Sequence, residues 1–259
     1  MTEEISAHAV LDIALSALAQ TPRLLVCCDF DGTISTLADD PAAARPVDGA
    51  VAALDALACM PNTWAALVSG RALIDLTQLA GMPEHVHLVG SHGTEFEIGA
   101  IVAVSPTESA LLDQVITQIR VLVVGVSGVL VEEKPASVAV HVRRASRTDA
   151  ERVLSAVRLG PGNLAGVHVL EGKEVVEIAV FPGAKGDGVA ALRARWDITG
   201  TLFVGDDVTD ESAFASLDTD DVSVKVGEGH SLASWRIPDP ESVVDLLERL
   251  AVLRGPLLA

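Results

Sequence analysis

Four short apolar runs of strand length recur along the chain, and each of them ends in an unusually polar loop. The runs are Leu24–Cys28 before Asp29, Trp64–Val68 before Ser69, His85–Val89 before Gly90, and Thr201–Val204 before Gly205. Stretches with apolar residues at helical spacing lie between them, such as Leu73, Leu76 and Leu79. Strands that are buried on both faces of a parallel sheet are continuously apolar, as Leu-Leu-Val-Cys-Cys is. We therefore predict an α/β fold with a doubly wound parallel sheet, whose polar loops lie where ligands bind in such folds.

The middle of the chain has a different pattern, which predicts two helices and several antiparallel strands. The predicted elements are a helix around Leu111 to Ile119, a strand from Ser137 to Val142, a helix around Ala150 to Val157, and a hairpin of Val167 to Leu170 with Glu174 to Val180 around Glu171-Gly172-Lys173. We interpret residues 101–180 as an α+β cap inserted into a core made of residues 1–100 and 181–259. A closing helix is predicted from Ser242 to Leu253.

Composition narrows the class of protein. The 259 residues include 36 Asp and Glu against 18 Lys and Arg, a formal charge of -18, and 49% are apolar. This describes a folded protein with an acidic surface, and it argues against nucleic acid or an anionic membrane as the partner. The longest apolar run, Val121 to Val131, is too short to cross a bilayer. The start of the chain, Met1-Thr-Glu-Glu, lacks an export signal, so we expect a cytoplasmic protein, with a monomer as the starting assumption.

Two smaller features of composition concern cysteines and arginines. The three cysteines, at 27, 28 and 59, follow no zinc or redox spacing and are expected to be reduced packing residues. Five arginines cluster in the predicted cap, at positions 143, 144, 147, 152 and 158. A basic cap could close over an acidic core around an anionic substrate, but we expect most of these arginines to be solvated helix-face residues.

The loop after the first strand carries two carboxylates, Asp29 and Asp31, followed by Gly32 and Thr33. Burying two acids at a strand end is costly unless a cation or hydrogen bonds compensate. A carboxylate beside Mg²⁺ can attack phosphorus and form an aspartyl phosphate. A second carboxyl group two residues further on can protonate the leaving oxygen and then activate water. The alternative is an ordinary Asp-x-Asp-Gly surface turn.

Two further loops could hold phosphoryl oxygens. Ser69-Gly70-Arg71 follows the second strand and precedes a helix, so a hydroxyl and backbone N–H groups are available there, although such residues also cap helices. Lys185 begins another predicted helix, which is an unfavourable place for a cation because of the helix dipole. That conflict predicts that Lys185 faces a negative centre, the alternative being a solvated lysine.

The densest acidic segment follows the fourth strand, with four acids within six residues of Asp206-Asp207-Val208-Thr209-Asp210-Glu211. Carboxylate oxygens are the ligands that Mg²⁺ prefers, and this loop should reach the same sheet edge as Asp29. The alternative is a solvated acidic loop. We expect Mg²⁺ as the cofactor.

Taken in order, Asp29-x-Asp31-Gly-Thr, Ser69, Lys185 and Gly205-Asp-Asp-x-x-Asp210 resemble the four motifs of the haloacid dehalogenase-like (HAD-like) phosphatases. Finer features resemble the trehalose-6-phosphate phosphatases within that superfamily. They are Asp29-Phe-Asp-Gly-Thr-Ile-Ser35, Val68-Ser-Gly-Arg71, Gly90-Ser-His-Gly-Thr-Glu95, Glu132-Glu-Lys134 with His141-Val-Arg143, and Gly205-Asp-Asp-Val-Thr-Asp-Glu-Ser-Ala-Phe214. The resemblance covers most of the chain after about Arg23 and implies a Rossmannoid HAD-like core with a cap.

The resemblance also implies roles for individual residues. Asp29 would be the nucleophile and a metal ligand. Asp31 would be the general acid and base, and its backbone carbonyl oxygen would be a further metal ligand. Asp206 would complete the metal site with Asp207 and Asp210 near it, while Ser69, Gly70 and Lys185 would bind the phosphoryl group. The residues implied to contact a sugar phosphate are Arg71, His92, Glu95, Lys134, His141, Arg143 and Glu177. For His92, a loop histidine that orders its own turn is an equal alternative.

Departures from the family pattern fall in the cap. The family usually has Glu-x-Arg/Lys-Pro near the end of the cap, whereas this chain reads Glu177-Ile-Ala179-Val180, and the family's His-Tyr-Arg is His141-Val142-Arg143 here. We therefore predict a Mg²⁺-dependent phosphatase of trehalose 6-phosphate, with another phosphorylated disaccharide or pseudo-disaccharide as the alternative substrate. A phosphoacceptor switch, which also uses Asp, Mg²⁺, Ser/Thr and Lys, ranks lower. In such switches the acidic pair follows the first strand and the phosphoacceptor Asp follows a later one, whereas here Asp29 comes first in the motif order.

Overall fold

A computed structural model describes residues 7–37, 40–97, 105–172, 174–181 and 183–255. The chain divides into two compact units, Met1–Ile101 with Gly183–Ala259 and Val102–Pro182. We call the first the core unit and the second the cap unit, and each is described by itself. The opening residues Met1–Glu4, Lys173 of the predicted hairpin and the residues around the first expected domain boundary lie outside the described residues.

The core unit contains a seven-stranded sheet and six α-helices among its described residues. The strands are β1 (Leu24–Cys28), β2 (Thr63–Val68), β3 (Val86–Gly90), β4 (Glu95–Phe96), β9 (Gly200–Gly205), β10 (Val222–Val226) and β11 (Trp235–Ile237). The helices are α1 (Ala7–Ala19), α2 (Ala50–Ala58), α3 (Leu73–Ala80), α6 (Lys185–Arg195), α7 (Glu211–Ser216) and α8 (Pro240–Arg254). The four predicted core strands, the helices between them and the closing helix are confirmed.

The strand order, β11-β10-β9-β1-β2-β3-β4, places β1 at the centre of the sheet. All neighbouring strands are parallel except β4, which runs antiparallel to β3. The chain leaves β1 towards β2 and β3 and returns on the other side of β1 as β9. This reversal creates a switch point at the carboxyl end of β1, the place where doubly wound sheets bind ligands. Asp29 follows β1 at that point.

Strand β1 shows why the sheet is covered on both faces. All five of its residues are fully buried. Leu24, Val26 and Cys28 pack into an apolar cluster with α1, α2, α3 and α8. The intervening residues point to the opposite face because side chains alternate along a strand. Because β1 is buried on both faces at the centre of the sheet, every one of its side chains must be apolar.

The cap unit is a four-stranded antiparallel sheet with two helices on one face. Its elements are α4 (Pro106–Val123), β5 (Leu130–Glu133), β6 (Ser137–His141), α5 (Arg147–Leu159), β7 (His168–Gly172) and β8 (Val175–Ala179), with sheet order β5-β6-β8-β7. Ser105 and Ser146 cap α4 and α5 by accepting hydrogen bonds from backbone N–H groups. The helices bury Val115, Ile119 and Val153 against Val138 and Ile178 of the sheet.

Several elements were not predicted from the pattern, most notably β10. Its sequence, Val-Ser-Val-Lys-Val, alternates like a strand with one solvated face, yet all five residues are buried. Strands β4 and β11 are two and three residues long, too short to give a pattern. No helix in the described part of the chain is both long and apolar enough to cross a membrane.

Candidate active site

Four loops of the core unit meet at the carboxyl edge of the parallel sheet, because β9, β1, β2 and β3 are neighbours. Asp29 lies at the centre of this edge. Its backbone N–H donates to Val204 O at 2.9 Å, which ties the loop after β1 to the end of β9. The Asp29 residue is only 4% exposed. The switch point therefore presents one carboxylate from inside the protein, with almost no contact with bulk solvent.

Lys185 supplies the counter-charge for that carboxylate. Its Nζ lies 2.7 Å from Asp29 Oδ1 and 2.7 Å from Asp210 Oδ1, and the lysine is 2% exposed. Burial favours the neutral amine, but the two carboxylates outweigh it and raise the pKa of Lys185 above its ordinary value. The prediction that Lys185 faces a negative centre is confirmed. The favourable contacts with Asp29 and Asp210 explain how a cation is tolerated at the start of α6.

One lysine does not neutralise the carboxylates that gather here. Burial, opposed by Lys185 and reinforced by Asp210 and Asp206, raises the pKa of Asp29 well above its ordinary value. Burial and Asp210 likewise raise the pKa of Asp206 to about 6, against the pull of Lys185. The ionised form of both carboxylates is therefore energetically unfavourable here. A divalent cation bound beside them would stabilise that form.

The donor set fits a hard cation. Among the described residues, Asp29, Asp206 and Asp210 offer carboxylate oxygens that all lie within 4.8 Å of one another. Oxygen donors of this kind suit Mg²⁺. Gly32 keeps the space open, because it has φ +76° and a side-chain carbon added there would overlap the Asp206 carboxylate. Any other residue at this position would be strained by the positive φ and would displace the Asp206 carboxylate.

The acids of the loop after β9 have different tasks. The second oxygen of Asp210, Oδ2, accepts from the backbone N–H groups of Asp206 and Asp207, each at 2.9 Å, so both its oxygens are already engaged. Asp210 thus organises the loop around Lys185. Asp207 is exposed and its Oδ1 accepts from Val208 N at 2.6 Å. The structure does not bring Asp207 into the carboxylate group, because its side chain caps the following turn instead.

Asp31 and Arg71 form a paired unit beside Asp29. Arg71 Nε and Nη2 donate to Asp31 Oδ2 and Oδ1, both at 2.6 Å, in a bidentate geometry. The guanidinium also lies 5.5 Å from the centre of the Phe30 ring. The expected contact of Arg71 with substrate stays a prediction; in this structure its guanidinium pairs with Asp31. Nothing in the local sequence indicates this pair, since the two residues are 40 positions apart.

Ser69 and His92 lie on two loops that hydrogen bonds tie together. Ser91 N donates to Arg71 O at 2.7 Å, and His92 N donates to Ser69 O at 3.0 Å. Ser69 is buried, and its Oγ accepts from Arg71 N at 3.2 Å. His92 has φ 55°, and its imidazole lies so close to Gly70 that a side-chain carbon there would overlap it. The histidine ring therefore packs on the Ser69-Gly70-Arg71 loop, and a side chain at position 70 would force the ring to move.

Glu95 forms hydrogen bonds within the protein, and its expected contact with substrate stays a prediction. Its Oε2 accepts from Leu73 N at 2.8 Å, at the first turn of α3, and from Ser91 Oγ at 2.7 Å. A carboxylate at a helix N-terminus satisfies an unpaired N–H group and interacts favourably with the helix dipole. Glu95 thus joins α3 to the loop after β3. The sequence does not reveal this because the capped helix precedes Glu95 by 22 residues.

Sequence reasoning missed two side chains that position Asp206. Thr33 Oγ1 donates to Asp206 Oδ1 at 3.3 Å, and the buried Lys225 donates to the backbone oxygen of Asp206. Thr33 belongs to the quoted Asp-x-Asp-Gly-Thr motif, so its position was a usable signal. Lys225 is opposite Gly205 in the register of β10 on β9, and no local pattern identifies it.

In the cap unit, the expected sugar-binding residues lie on or next to the sheet face without helices. Alternation places Ser137, Ala139 and His141 on this face, with Glu177 beside Ala139 in the pairing of β6 and β8. Lys134 Nζ donates to Glu177 Oε2 at 2.9 Å, and Ser137 Oγ donates to Glu177 Oε1 at 2.6 Å. The structure thus brings Lys134 and Glu177 together, and adds Ser137, which was not predicted.

His141 and Arg143 have separate acidic partners. His141 Nε2 lies 2.9 Å from Glu132 Oε2, and this hydrogen bond lowers the pKa of Glu132 against the opposing effect of burial. Arg143 Nε lies 3.5 Å from Glu174 Oε2, with both side chains about half exposed. In this structure Arg143 thus pairs with Glu174 near the end of β6.

The other cap arginines are mostly paired at the surface. Arg147 pairs with Glu151, Arg152 with Asp149 and Arg158 with Glu171. All three arginine side chains are exposed. The expectation that most of this basic cluster is solvated is therefore confirmed, and its charge is balanced within the cap unit.

Comparison with known proteins identifies the family. The model of the trehalose-phosphatase family matches residues 27–241. Trehalose-phosphate phosphatase of Mycobacterium ulcerans is 34% identical over 266 residues, and the match covers 92% of this chain and 65% of that protein. The Mycobacterium leprae protein of the same name is 32% identical over 277 residues, and the match covers 97% of this chain and 62% of that protein. The chain thus spans less than two thirds of the length of these two relatives.

A solved structure supports the same assignment. The C-terminal domain of Candida albicans trehalose-6-phosphate phosphatase superposes with a TM-score of 0.70 at 26% identity, covering 93% of this chain and 96% of that one. The core unit has the doubly wound sheet and the loop placement expected from the HAD-like resemblance, and the matched residues include Asp29, Ser69, Lys185 and Asp206. The chain therefore belongs to the trehalose-phosphatase family, within the HAD-like hydrolases.

Proposed function

We propose that this chain is a Mg²⁺-dependent phosphomonoesterase that hydrolyses trehalose 6-phosphate. One observation carries the proposal: a buried carboxylate at the switch point, Asp29, is held 2.7 Å from a buried lysine in a chain of the trehalose-phosphatase family. The relatives that carry the name of this activity are longer than the chain. The proposal therefore rests on the side chains of this chain together with the family to which it belongs.

In the proposed reaction, Asp29 attacks phosphorus while the bond from phosphorus to the sugar oxygen breaks. Asp31 donates its proton to that oxygen and the sugar departs. The phosphoryl group is then bound covalently to Asp29 as an aspartyl phosphate. Asp31 then takes a proton from water as the water attacks phosphorus, which restores the Asp29 carboxylate and releases phosphate. Both oxygens of Asp31 accept from Arg71 in this structure, so delivery of the proton requires Asp31 to leave that pair.

Lys185 and Ser69 support this chemistry from the core unit. Lys185 stabilises the carboxylate form of Asp29 before attack and can donate to phosphoryl oxygens, since its Nζ already lies among anionic groups. Ser69 Oγ and the N–H groups of its loop are hydrogen-bond donors for the same oxygens. Asp29 and Asp206 would hold Mg²⁺ through their carboxylates, with the backbone carbonyl of Asp31 as the family resemblance implies. Bound Mg²⁺ would neutralise charge on the phosphoryl group.

We assign recognition of the sugar to the polar face of the cap sheet. Lys134, Ser137 and Glu177 present a cation, a hydroxyl and a carboxylate, which are suited to a ring of sugar hydroxyl groups. His141 and Arg143 are further candidates on the same unit. The chain has no Tyr, so hydrogen bonds rather than aromatic stacking would carry recognition.

Another phosphorylated disaccharide is the second candidate substrate. Ala179 replaces a residue that is usually basic in the family, and it lies two positions from Glu177 on the same sheet face. A phosphate-release assay across trehalose 6-phosphate, sucrose 6-phosphate, glucosylglycerol phosphate and hexose phosphates separates the candidates. We expect the highest kcat/KM for trehalose 6-phosphate. A large preference for another substrate would overturn the trehalose assignment while leaving the reaction class in place.

A further inference from the structure

A second group of metal-ligating side chains lies at the opposite edge of the core unit. Asp55 is on α2, and Cys59 follows four residues later as the residue that ends this helix. His85 directly precedes β3. These residues are at the amino end of the sheet strands, whereas the catalytic loops follow the carboxyl ends. Their carboxylate, thiol and imidazole atoms all lie within 4.8 Å of one another.

The donor atoms are spaced much as a tetrahedral metal requires. His85 Nδ1 lies 3.4 Å from Asp55 Oδ1, and Cys59 Sγ lies 3.9 Å from the same oxygen. With usual Zn²⁺ bond lengths, tetrahedral geometry needs about 3.3 Å between nitrogen and oxygen donors and about 3.5 Å between sulfur and oxygen donors. The first distance already matches, and the second needs a small side-chain adjustment. Cys59 and His85 are exposed enough to make it.

The position also favours a cation. Cys59 is at the carboxyl end of α2, where the helix dipole places partial negative charge. A thiolate at this end of a helix is unfavourable alone and becomes favourable when a metal ion binds beside it. Asp55 adds a carboxylate one helical turn earlier.

We propose that Asp55, Cys59 and His85 form a surface site for a borderline transition-metal cation, Zn²⁺ above all, with water as the fourth ligand. Sulfur and nitrogen donors select Zn²⁺ or Co²⁺ over Mg²⁺, so this site differs in chemistry from the all-oxygen group at Asp29. A bound ion joins the end of α2 to the segment that enters β3. The assignment does not depend on the phosphatase activity.

Cobalt spectroscopy tests the site directly in the full chain. Co²⁺ also binds carboxylate sites, but only a thiolate ligand gives an intense near-ultraviolet charge-transfer band. We expect a saturating band intensity that corresponds to one thiolate-bound Co²⁺ per chain, displacement of the band by Zn²⁺, and persistence of the band in Asp29→Asn. Cys59→Ser should abolish it, and His85→Gln should weaken Co²⁺ binding by at least about tenfold. The exposed His230→Gln is the matched control and should leave both the band and the affinity unchanged.

Two results would overturn the proposal. One is the absence of a thiolate band in the wild-type protein at saturating Co²⁺. The other is a band whose Co²⁺ affinity is the same in His85→Gln as in the wild type, which would show binding to a thiol alone. Far-ultraviolet circular dichroism of each variant verifies that a lost band does not reflect unfolding. Phosphate release by Cys59→Ser should equal that of the wild type.

Discussion

The core and cap units hold their polar side chains in different ways. In the core, Asp29, Lys185 and Asp210 are nearly inaccessible, and Lys185 contacts both acids at 2.7 Å. In the cap, His141 and Glu132 remain partly exposed, whereas Lys134 and Glu177 are largely buried. The core contacts fix one arrangement, which suits a reaction that needs exact positions. The partly exposed pair of His141 with Glu132 can exchange a protein partner for a hydroxyl group more easily, which is consistent with the proposed role of the cap in recognition.

The charges of the two units differ as well. Residues 102–182 carry nine acids and eight bases, a net charge of -1, while the core unit carries 27 acids and 10 bases, a net charge of -17. The cap uses much of its charge in pairs such as Arg158 with Glu171. Nearly all the acidic excess therefore belongs to the core unit, where part of it surrounds the proposed cation site.

Replacing the proposed nucleophile should have the largest effect. We expect Asp29→Asn to lower kcat for every phosphomonoester by about 10⁴-fold or more, because the amide cannot form the covalent intermediate. Thermal unfolding should show equal or greater stability, since Asp29 is a buried carboxylate with a raised pKa. The exposed Asp245→Asn serves as the control in a phosphate-release assay. Substantial metal-dependent turnover by Asp29→Asn would rule out the mechanism.

Removing the buried cation should affect both activity and stability. Lys185→Met leaves Asp29 and Asp210 without their shared counter-charge, so we expect the free energy of unfolding to fall by about 3–5 kcal/mol. Urea denaturation measures this change, with the exposed Arg195→Met on the same helix as the control. Adding Asp29→Asn to Lys185→Met should recover part of the loss. Strictly additive effects of the two substitutions would contradict the ion pair.

A cap substitution should separate recognition from chemistry. Glu177→Gln keeps the shape of the side chain but removes the charge that Lys134 contacts. We expect kcat/KM for trehalose 6-phosphate to fall by about 10- to 100-fold, which corresponds to one lost polar contact in the transition state. With p-nitrophenyl phosphate, which has no sugar, the rate should not change. The exposed Glu171→Gln is the control; equal losses with both substrates would place Glu177 outside sugar recognition.

The smallest effect is expected at Glu95. Glu95→Gln weakens the hydrogen bonds to Leu73 N and Ser91 Oγ, so we expect a loss of about 1 kcal/mol in stability. Since the carboxylate is engaged by the protein, KM for trehalose 6-phosphate should not change. Glu97→Gln, which affects only an exposed pair with His87, is the comparison. A raised KM without a loss of stability would return Glu95 to substrate binding.

Features that depend on neighbouring residues can be predicted from the sequence, whereas contacts between distant segments cannot. Strand β1 and the acidic loop after β9 are predictable because the signals are local. A continuous apolar run indicates the buried strand, and closely spaced acids indicate the cation site. The pairing of Arg71 with Asp31 and the capping of α3 by Glu95 depend on side-chain conformations across distant segments. Lys225 could not be found because β10 alternates like a half-exposed strand. In the cap, the residue types were predicted. The contact of Ser137 with Glu177 became clear only from strand register, and the pairing of Arg143 with Glu174 only from the side-chain positions.

Chemical trapping of the phosphoenzyme tests the central claim most directly. The wild-type chain is mixed with trehalose 6-phosphate and Mg²⁺, quenched in acid within one turnover, reduced with borohydride and digested for mass spectrometry. Borohydride converts an aspartyl phosphate to homoserine, so we predict homoserine at position 29, formed and lost at the rate of phosphate release. Turnover without modification of Asp29 would contradict the account. A modified Asp29 that persists long after substrate is consumed would instead support the phosphoacceptor switch.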